Sequence, residues 1–565
     1  MSFEHAFVEQ AEYLESEIFS SWHASHPDED AILRKLCHGG AKLISGPRGC
    51  GKTTLLLQAY NSMLGDGTAA FPIYVNYKRS LSLEPLYKSN TDGTFWFNQW
   101  IIVKIYQGIY ESLKRLQLQL QFKLSIDEKS ATKLASMLEM SKFDNNFDLT
   151  LSIPSLEDDI QEILTKTGRS RCVILLDDAA HAFSPDQQRD FFDFFRQVKS
   201  KTISPKAAIY PGVTTYSPNF HIGHDAELID VLIKPDSKEY LDFMKSILSA
   251  RFSDGIQDSI ESNPQAVELL CYASFGIPRA LLNMLQVLIE SESNDVGDAV
   301  LQIDLSKNSV IKAIKQHYQN TRKIFTSLAA ELPVYKKFIE TGDEILKNSI
   351  TLIKEYNKSK AASKQSVSIA IADSDLSVEL LRVFSFFQYA GLCIPKSETI
   401  SRGEKGKFQL YAIHYSGLID SNALIGARSI NMQSYVEAFS TRDPHEFTRT
   451  KPAPLFNNEE YSAVFALSLP PCSACNTPRA FEEAKFCVKC GSPLSTPSTY
   501  QDLLNRDIQD LPLTVSRIRK IKEQSAIRKV RDILLDHEHA ELLKVDRIGP
   551  FWAAKIMRLA EEFVE

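Results

Sequence analysis

Two groups of residues in this chain have the types and spacing to do chemistry. The first is Gly46, Pro47, Arg48, Gly49, Cys50, Gly51, Lys52 and Thr53, with Thr54 next. In the pattern G-x-x-x-x-G-K-[ST], glycines let backbone N–H groups turn inward around phosphates. The lysine reaches the β/γ phosphates, and the threonine hydroxyl takes magnesium. The motif follows a short apolar strand at Leu43 and Ile44 and opens a helical run from Leu55 to Ala59, the context it needs. Its companion is VILLDDAAHAF, Val173 to Phe183. A buried strand there delivers Asp177 to magnesium and Asp178 to the place of the acid that polarises water. A hydrolytic site usually carries glutamate at that second place. Aspartate is one methylene shorter, and a shift of about 1 Å in such a group costs roughly 100-fold in rate. The pair therefore predicts a slow ATPase, or one that a partner completes. The alternative is that Asp178 only caps the next helix.

The second group is CSACNTPRAFEEAKFCVKCG. Cys472, Cys475, Cys487 and Cys490 form two C-x2-C knuckles, which together make a four-thiolate site for zinc. All four positions are filled by protein, so the metal is expected to be structural.

These residues need elements to position them. FPIYVNYK (Phe71 to Lys78) lies between the phosphate motif and the aspartates, and KAAIYPGVTTY (Lys206 to Tyr216) follows them. Apolar strands alternating with helices predict an α/β fold, a parallel sheet covered on both faces. Thr214 or Thr215, just past the last strand, is a candidate γ-phosphate sensor. The phosphate loop, IYVNYK, VILLDDAAHAF and FGIPRALLNML together resemble the AAA+ ATPases of the origin-recognition and archaeal initiator type, over about the first 320 residues. The resemblance implies ATP and magnesium as cofactors, a core over 1–225 and a helical lid over 226–320. It also implies that Arg279, in Gly276-Ile277-Pro278-Arg279, serves as the sensor arginine, with an exposed helix position as its other reading. Asp178 departs from that family's glutamate. Arg251 is only a weak candidate for an arginine finger.

Residues 117–165 look like an insertion. LQLQLQFKLSI alternates with period two, which predicts a strand, and SATKLASMLEM reads as helical. Over 321–445, long helical stretches precede two alternating runs that flank RGEKGK. That order looks like a winged helix, with Arg402, Lys405 and Lys407 at a basic tip able to meet a phosphate backbone or a minor groove. Residues 446–470 read as a linker, 471–493 as a zinc ribbon and 494–565 as a helical tail. The end of the tail resembles a helix-hairpin-helix. A helix runs into Val545, turns through Arg547, Ile548 and Gly549, and restarts at Pro550, with Gly549 suiting the tight turn. Arg547, Gly549 and Lys555, with Lys544, are candidate DNA contacts. Arg517, Arg519, Lys520, Lys522, Arg528, Lys529 and Arg531 add a basic patch before them, against the single acid Glu523; docking of a protein is its alternative role.

The whole chain sets bounds. Its 565 residues and net charge of -7 fit a multidomain protein whose nucleic-acid surfaces must be local. No apolar run reaches the length of a membrane span, no basic-then-apolar leader opens the chain, and nine cysteines, five scattered singly and four clustered near the C-terminus, suit a reducing compartment with one metal site and not a disulfide framework. A cytoplasmic protein is expected. The function expected is ATP-controlled engagement of duplex DNA, with slow hydrolysis, in an accessory ATPase of a mobile-element or antiviral defence system. A replication initiator and a signalling NTPase with an effector protein partner are the alternatives. Homo-oligomers on ATP or DNA are expected. The motifs themselves do not choose ATP over GTP.

Overall fold

The structure, a computed structural model, describes residues 14–564 except 15, 66–68, 79–82, 85–86, 88–91, 118–121, 140–150, 180–183, 253, 291–302, 401–405, 425–430, 441–445, 457–464, 466, 480–483, 485, 495–498 and 537. The chain divides into two compact units. One joins Asp28–Gly46, Lys52–Val231 and Leu469–Glu565; the other joins Met1–Pro27, Pro47–Gly51 and Leu232–Ser468.

The first unit is built on five parallel strands: β1 (Lys42–Ser45), β2 (Ala70–Asn76), β3 (Arg171–Asp177), β4 (Ile203–Ile209) and β5 (Glu227–Asp230), in the order β2-β3-β4-β1-β5. β3 and β4 are buried almost end to end, as strands covered on both faces must be, and this is why VILLD reads as a continuous apolar run. Register puts Asn76 opposite Asp177, and Ser45 opposite both Ile209 and Asp230. The residues that follow β1, β3 and β4 therefore emerge at one edge of the sheet.

The covering helices begin where the sequence offers caps. Ser184 accepts from the Gln187 amide, while the Gln187 side chain returns to the Ser184 N–H, and Pro185 opens the helix Pro185–Val198. Ser152 and Ser155 do the same for Ile153–Thr167. The Pro185–Val198 helix buries Phe191, Phe192 and Phe195, and Phe220 packs edge to face on Phe195 and tilted on Phe192. Each such ring contributes about 2–3 kcal/mol by leaving water.

Lys206 departs from this apolar pattern. It sits in the middle of β4, fully buried, and its Nζ donates to the carbonyls of His38, at 2.7 Å, and Gly40. Burial pulls its ammonium down to about 7, and the charge of Lys42 pulls the same way.

The strand expected in LQLQLQFKLSI does not form at the residues described. The helix Gly93–Arg115 ends in front of it, and residues 122–126 carry no strand. Phe122 and Leu124 pack on the core without pairing their backbone. Over Phe122 to Ile126 the alternation reflects burial of every second side chain, not a sheet partner. Of the following SATKLASMLEM, Ser130 to Glu139 lie in a helix, Glu128–Glu139.

In the second unit, helices Tyr240–Arg251, Asp254–Ser262, Pro264–Ala273 and Pro278–Glu290 are followed by two long ones, Lys307–Glu331 and Lys336–Asn357. Then come β6 (Ser368–Ala372), a helix (Val378–Ala390), β7 (Cys393–Ile400) and β8 (Lys407–Ile413). β8 pairs antiparallel with both β6 and β7. Helix, strand, helix and a two-stranded wing is the winged-helix order. Phe384 of the helix stacks on Tyr411 of β8 with ring centroids 4.0 Å apart. The stretch expected to be a linker contributes β9 (Thr448–Arg449), which pairs with β6, and buries Leu455 and Phe456. Among the described residues, no helix is long and apolar enough to cross a membrane.

Candidate nucleotide site and metal centre

Lys52 is the first residue of the helix Lys52–Leu64 and is buried. Its Nζ donates to the Gly46 carbonyl at 2.7 Å and lies 3.7 Å from the centre of the Tyr210 ring. The Tyr210 hydroxyl donates to Asp178 Oδ1 at 2.9 Å, and the Tyr74 hydroxyl to Asp177 Oδ2 at 2.8 Å. The structure thus brings Lys52, Asp177 and Asp178 to one end of the sheet, as their motifs require. It adds two tyrosines that the sequence reading did not select.

Tyr210 directly follows β4, which ends at Ile209, earlier than KAAIYPGVTTY suggests. The residue past the strand that meets Asp178 is Tyr210, not Thr214 or Thr215. Thr214 closes a turn on Tyr210, its hydroxyl donating to the Tyr210 carbonyl at 2.7 Å and accepting from the Tyr210 amide at 3.2 Å. The Thr215 amide donates to the Gln188 side chain. No sequence signal marked Tyr210: its place follows from the pairing of Ile209 with Ser45, a register that the linear sequence does not contain.

Asp178 has φ +52, in the left-handed region, and its amide donates to Asp177 Oδ1 at 3.0 Å. Aspartate tolerates that backbone better than glutamate does, because its short carboxylate bonds locally. The backbone therefore gives a physical reason for aspartate here. Asp178 is not the cap of the next helix, since Ser184 holds that place.

The remaining loop residues, Pro47, Arg48, Gly49, Cys50 and Gly51, group with the helical unit that also holds Arg279. Gly49 and Gly51 both have positive φ, +83 and +100, which keeps the loop open for inward-facing amides. The Gly49 carbonyl accepts from the Arg279 amide at 3.5 Å, and a Cβ on Gly49 would lie 2.8 Å from that of Arg279. Only glycine fits beside the arginine. Burial pushes the nearby Glu331 carboxyl up to about 7, against the pull of the Arg48 guanidinium. Gly276, at φ +84, starts the turn into the Arg279 helix, and the residue before it, Phe275, is also left-handed. Arg251 lies over the Trp22 ring, 5.5 Å from its centre. Thr53 and Thr54 stand half-buried in the first turn of the Lys52 helix. Within the sheet unit, the Lys52 ammonium and the carboxylates at the neighbouring strand end are a donor set that fits phosphates and magnesium.

The four cysteines come together. The sulfurs of Cys472 and Cys490 are 3.5 Å apart, those of Cys475 and Cys487 are 3.6 Å apart, and all four lie within 4.8 Å of one another. Four thiolates about 2.3 Å from one ion stand about 3.8 Å apart, so the cluster fits zinc. Each knuckle is a tight turn, the Asn476 amide donating to the Cys472 carbonyl and the Gly491 amide to that of Cys487. Phe486 and Val488 on the second knuckle are exposed.

Of the DNA candidates, Arg402 and Lys405 lie outside the described residues. Lys407 is exposed at the start of β8. In the tail, the helix Pro550–Val564 begins as expected, but the left-handed residue of the turn before it is Arg547, at φ +65, and not Gly549. Gly549 and Arg547 are exposed, and Lys555 lies 5.2 Å from the centre of the Trp552 ring. The tail also touches the sheet domain of its own unit. The buried Glu84 carboxylate accepts from the Tyr500 amide at 2.9 Å.

A parallel sheet in this strand order, a phosphate-loop pattern after β1 and acids at the end of β3 define a P-loop α/β core. A four-thiolate ribbon and a helical tail follow it. No known family's sequence pattern matches the chain, and no curated protein sequence does. Among solved structures it is similar to the ORC1 protein of Aeropyrum pernix in complex with DNA, at 16% identity and a TM-score of 0.30, covering 73% of this chain and 97% of that one. It is also similar to Cdc6p of Pyrobaculum aerophilum, at 13% identity and a TM-score of 0.27, covering 73% and 98%.

Proposed function

We propose that the protein is an ATP-dependent DNA-binding switch, in which ATP binding and slow hydrolysis control engagement of duplex DNA. The observation that carries this reading is the Lys52–Tyr210–Asp178 cluster. The phosphate lysine and the acid that would activate water meet through one tyrosine at the end of the sheet. Lys52 would neutralise the β/γ phosphates, and Thr53 with Asp177 would hold magnesium. Asp178 would orient water, and Arg279 would sense the γ-phosphate. A carboxylate on a left-handed backbone, already hydrogen-bonded, suits a nucleotide that is held longer than it is cleaved. Arg547, Gly549 and Lys555 of the tail, and Lys407 with Arg402 and Lys405 of the wing, are the proposed DNA contacts. Zinc at the ribbon is structural. Self-assembly on ATP or DNA and an effector protein partner belong to the same proposal. The combination of ribbon and tail with this core favours an accessory ATPase of a mobile element or antiviral defence system over a replication initiator.

ATP turnover with and without duplex DNA, beside Asp178→Ala, tests the catalytic half. Turnover that DNA raises and Asp178→Ala abolishes supports it; equal turnover in the variant sinks Asp178 as the catalytic acid. Duplex affinity that falls steeply with salt, and is lost on truncation after residue 494, supports the binding half. A tail that ignores DNA and captures a protein would favour a signalling NTPase.

A further inference from the structure

The turn that carries Arg279 is held from outside the two helices it joins. It runs from the helix Pro264–Ala273 through Ser274, Phe275, Gly276 and Ile277 into the helix Pro278–Glu290. Phe275 and Gly276 are both left-handed, at φ +57 and +84. Glycine adopts that backbone freely. A bulky aromatic residue is strained in it and stays there only where its surroundings hold it. One hold is local: the Gly276 amide donates to the Tyr240 hydroxyl at 3.1 Å.

The others come from the winged-helix domain. After β8 the chain enters a short helix, Tyr415–Asp420, capped by His414, whose Nδ1 accepts from the Ser416 amide at 3.2 Å. The buried Phe275 ring packs on both the His414 and the Tyr415 rings, with centroids 4.9 and 5.0 Å away. Tyr415 is itself stacked on Phe439, ring centroids 4.2 Å apart. The Ser416 hydroxyl, also buried, donates to the Ala273 carbonyl at 2.8 Å. Ala273 ends its helix, and carbonyls of a last turn have no intrahelical partner.

A second contact falls two residues further on. Gly391 ends the helix Val378–Ala390 at φ +75, and a Cβ there would lie 2.6 Å from Ile277 Cδ1. Ile277 in turn borders the phosphate loop, since a Cβ on Gly49 would lie 3.2 Å from its Cγ2. The end of a winged-helix helix, the turn and a loop glycine thus stand in direct succession, and all belong to one compact unit.

We infer that Ser416 and Gly391 are positioning residues for Arg279, holding the strained turn in the one conformation that aims the arginine at a γ-phosphate. The winged-helix domain thereby sets how well ATP is told from ADP, and whatever shifts that domain shifts the aim. The inference rests on the sensor reading of Arg279 above.

The test measures binding of AMP-PNP and of ADP, each with magnesium, to the full-length protein by titration calorimetry. Ser416→Ala is expected to weaken AMP-PNP about fivefold and to leave ADP unchanged. Because Ser416 acts through Arg279, the same substitution in an Arg279→Ala background should change neither. Gly391→Ala, which presses on Ile277, should show the same selective loss, and adding Ile277→Val, which removes Cδ1, should restore binding. Equal losses for both nucleotides, or an undiminished loss in the Arg279→Ala background, would make Ser416 an ordinary stabilising contact and overturn the inference. So would unchanged AMP-PNP binding by Ser416→Ala where Arg279→Ala weakens it. If Arg279→Ala itself binds AMP-PNP as the wild type does, the sensor reading falls first. Should Ser416→Ala fail to fold, Gly391→Ala with and without Ile277→Val carries the comparison, and a loss that Ile277→Val does not relieve overturns the inference.

Discussion

At the scale of single residues, the reading turns on Tyr210. Its ring holds the Lys52 ammonium and its hydroxyl holds Asp178, so the two functions can be separated chemically. Tyr210→Phe keeps the ring and loses the hydroxyl. It is expected to lower kcat for ATP about tenfold, because a carboxylate displaced by less than an ångström still reaches water poorly, while KM for ATP stays unchanged. A KM that rises with unchanged kcat would count against a positioning role. The phosphate motif and the two aspartates were legible in the sequence because each is local: a loop between a strand and a helix, and a pair at a strand end. Tyr210 and Tyr74 were not legible. Both reach the acids across the sheet, through a register that a linear reading does not contain.

At the scale of elements, Gly276 is the most exposed to test. A Cβ there would sit 2.3 Å from the Ile233 carbonyl oxygen, at a φ that L residues avoid. Gly276→Ala is expected to cost at least about 2 kcal/mol, read as an earlier urea transition. The ribbon gives a second prediction. Purified protein should carry one zinc per chain by metal analysis, and Cys487→Ser with Cys490→Ser should abolish it. A chelator should unfold the ribbon, because its few buried side chains cannot replace the metal. If metal content is unaltered in the double variant, the four-thiolate site is not the zinc site. Strands β1 to β4 were legible from their apolar runs, whereas the capped helices Ile153–Thr167 and Pro185–Val198 were not singled out. LQLQLQFKLSI was misread as a strand, because alternation records which side chains are buried and says nothing of a backbone partner.

At the scale of the whole molecule, the chain's length implied more than one compact unit, and the structure has two. Which segments of the chain group together was not legible, because such grouping depends on distant contacts. The buried ammonium of β4 gives a stability prediction here. Above about pH 7 the folded chain releases the Lys206 proton while the unfolded chain, near 10.5, still binds it. Stability contributed through Lys206 therefore rises with pH across that window. Cys37, raised by its own burial, opposes this from about pH 9, where the unfolded thiol ionises first. Urea melts at pH 7 and 8.5 should show the wild type gaining stability relative to Lys206→Met; equal pH dependence in the two would remove Lys206 as the source.

That same amine is also a clock. A lysine sealed inside a sheet cannot meet an acylating reagent while the fold is closed. Every chain found acylated at Lys206 has therefore opened at least once, and the rate of its labelling counts the openings of the core.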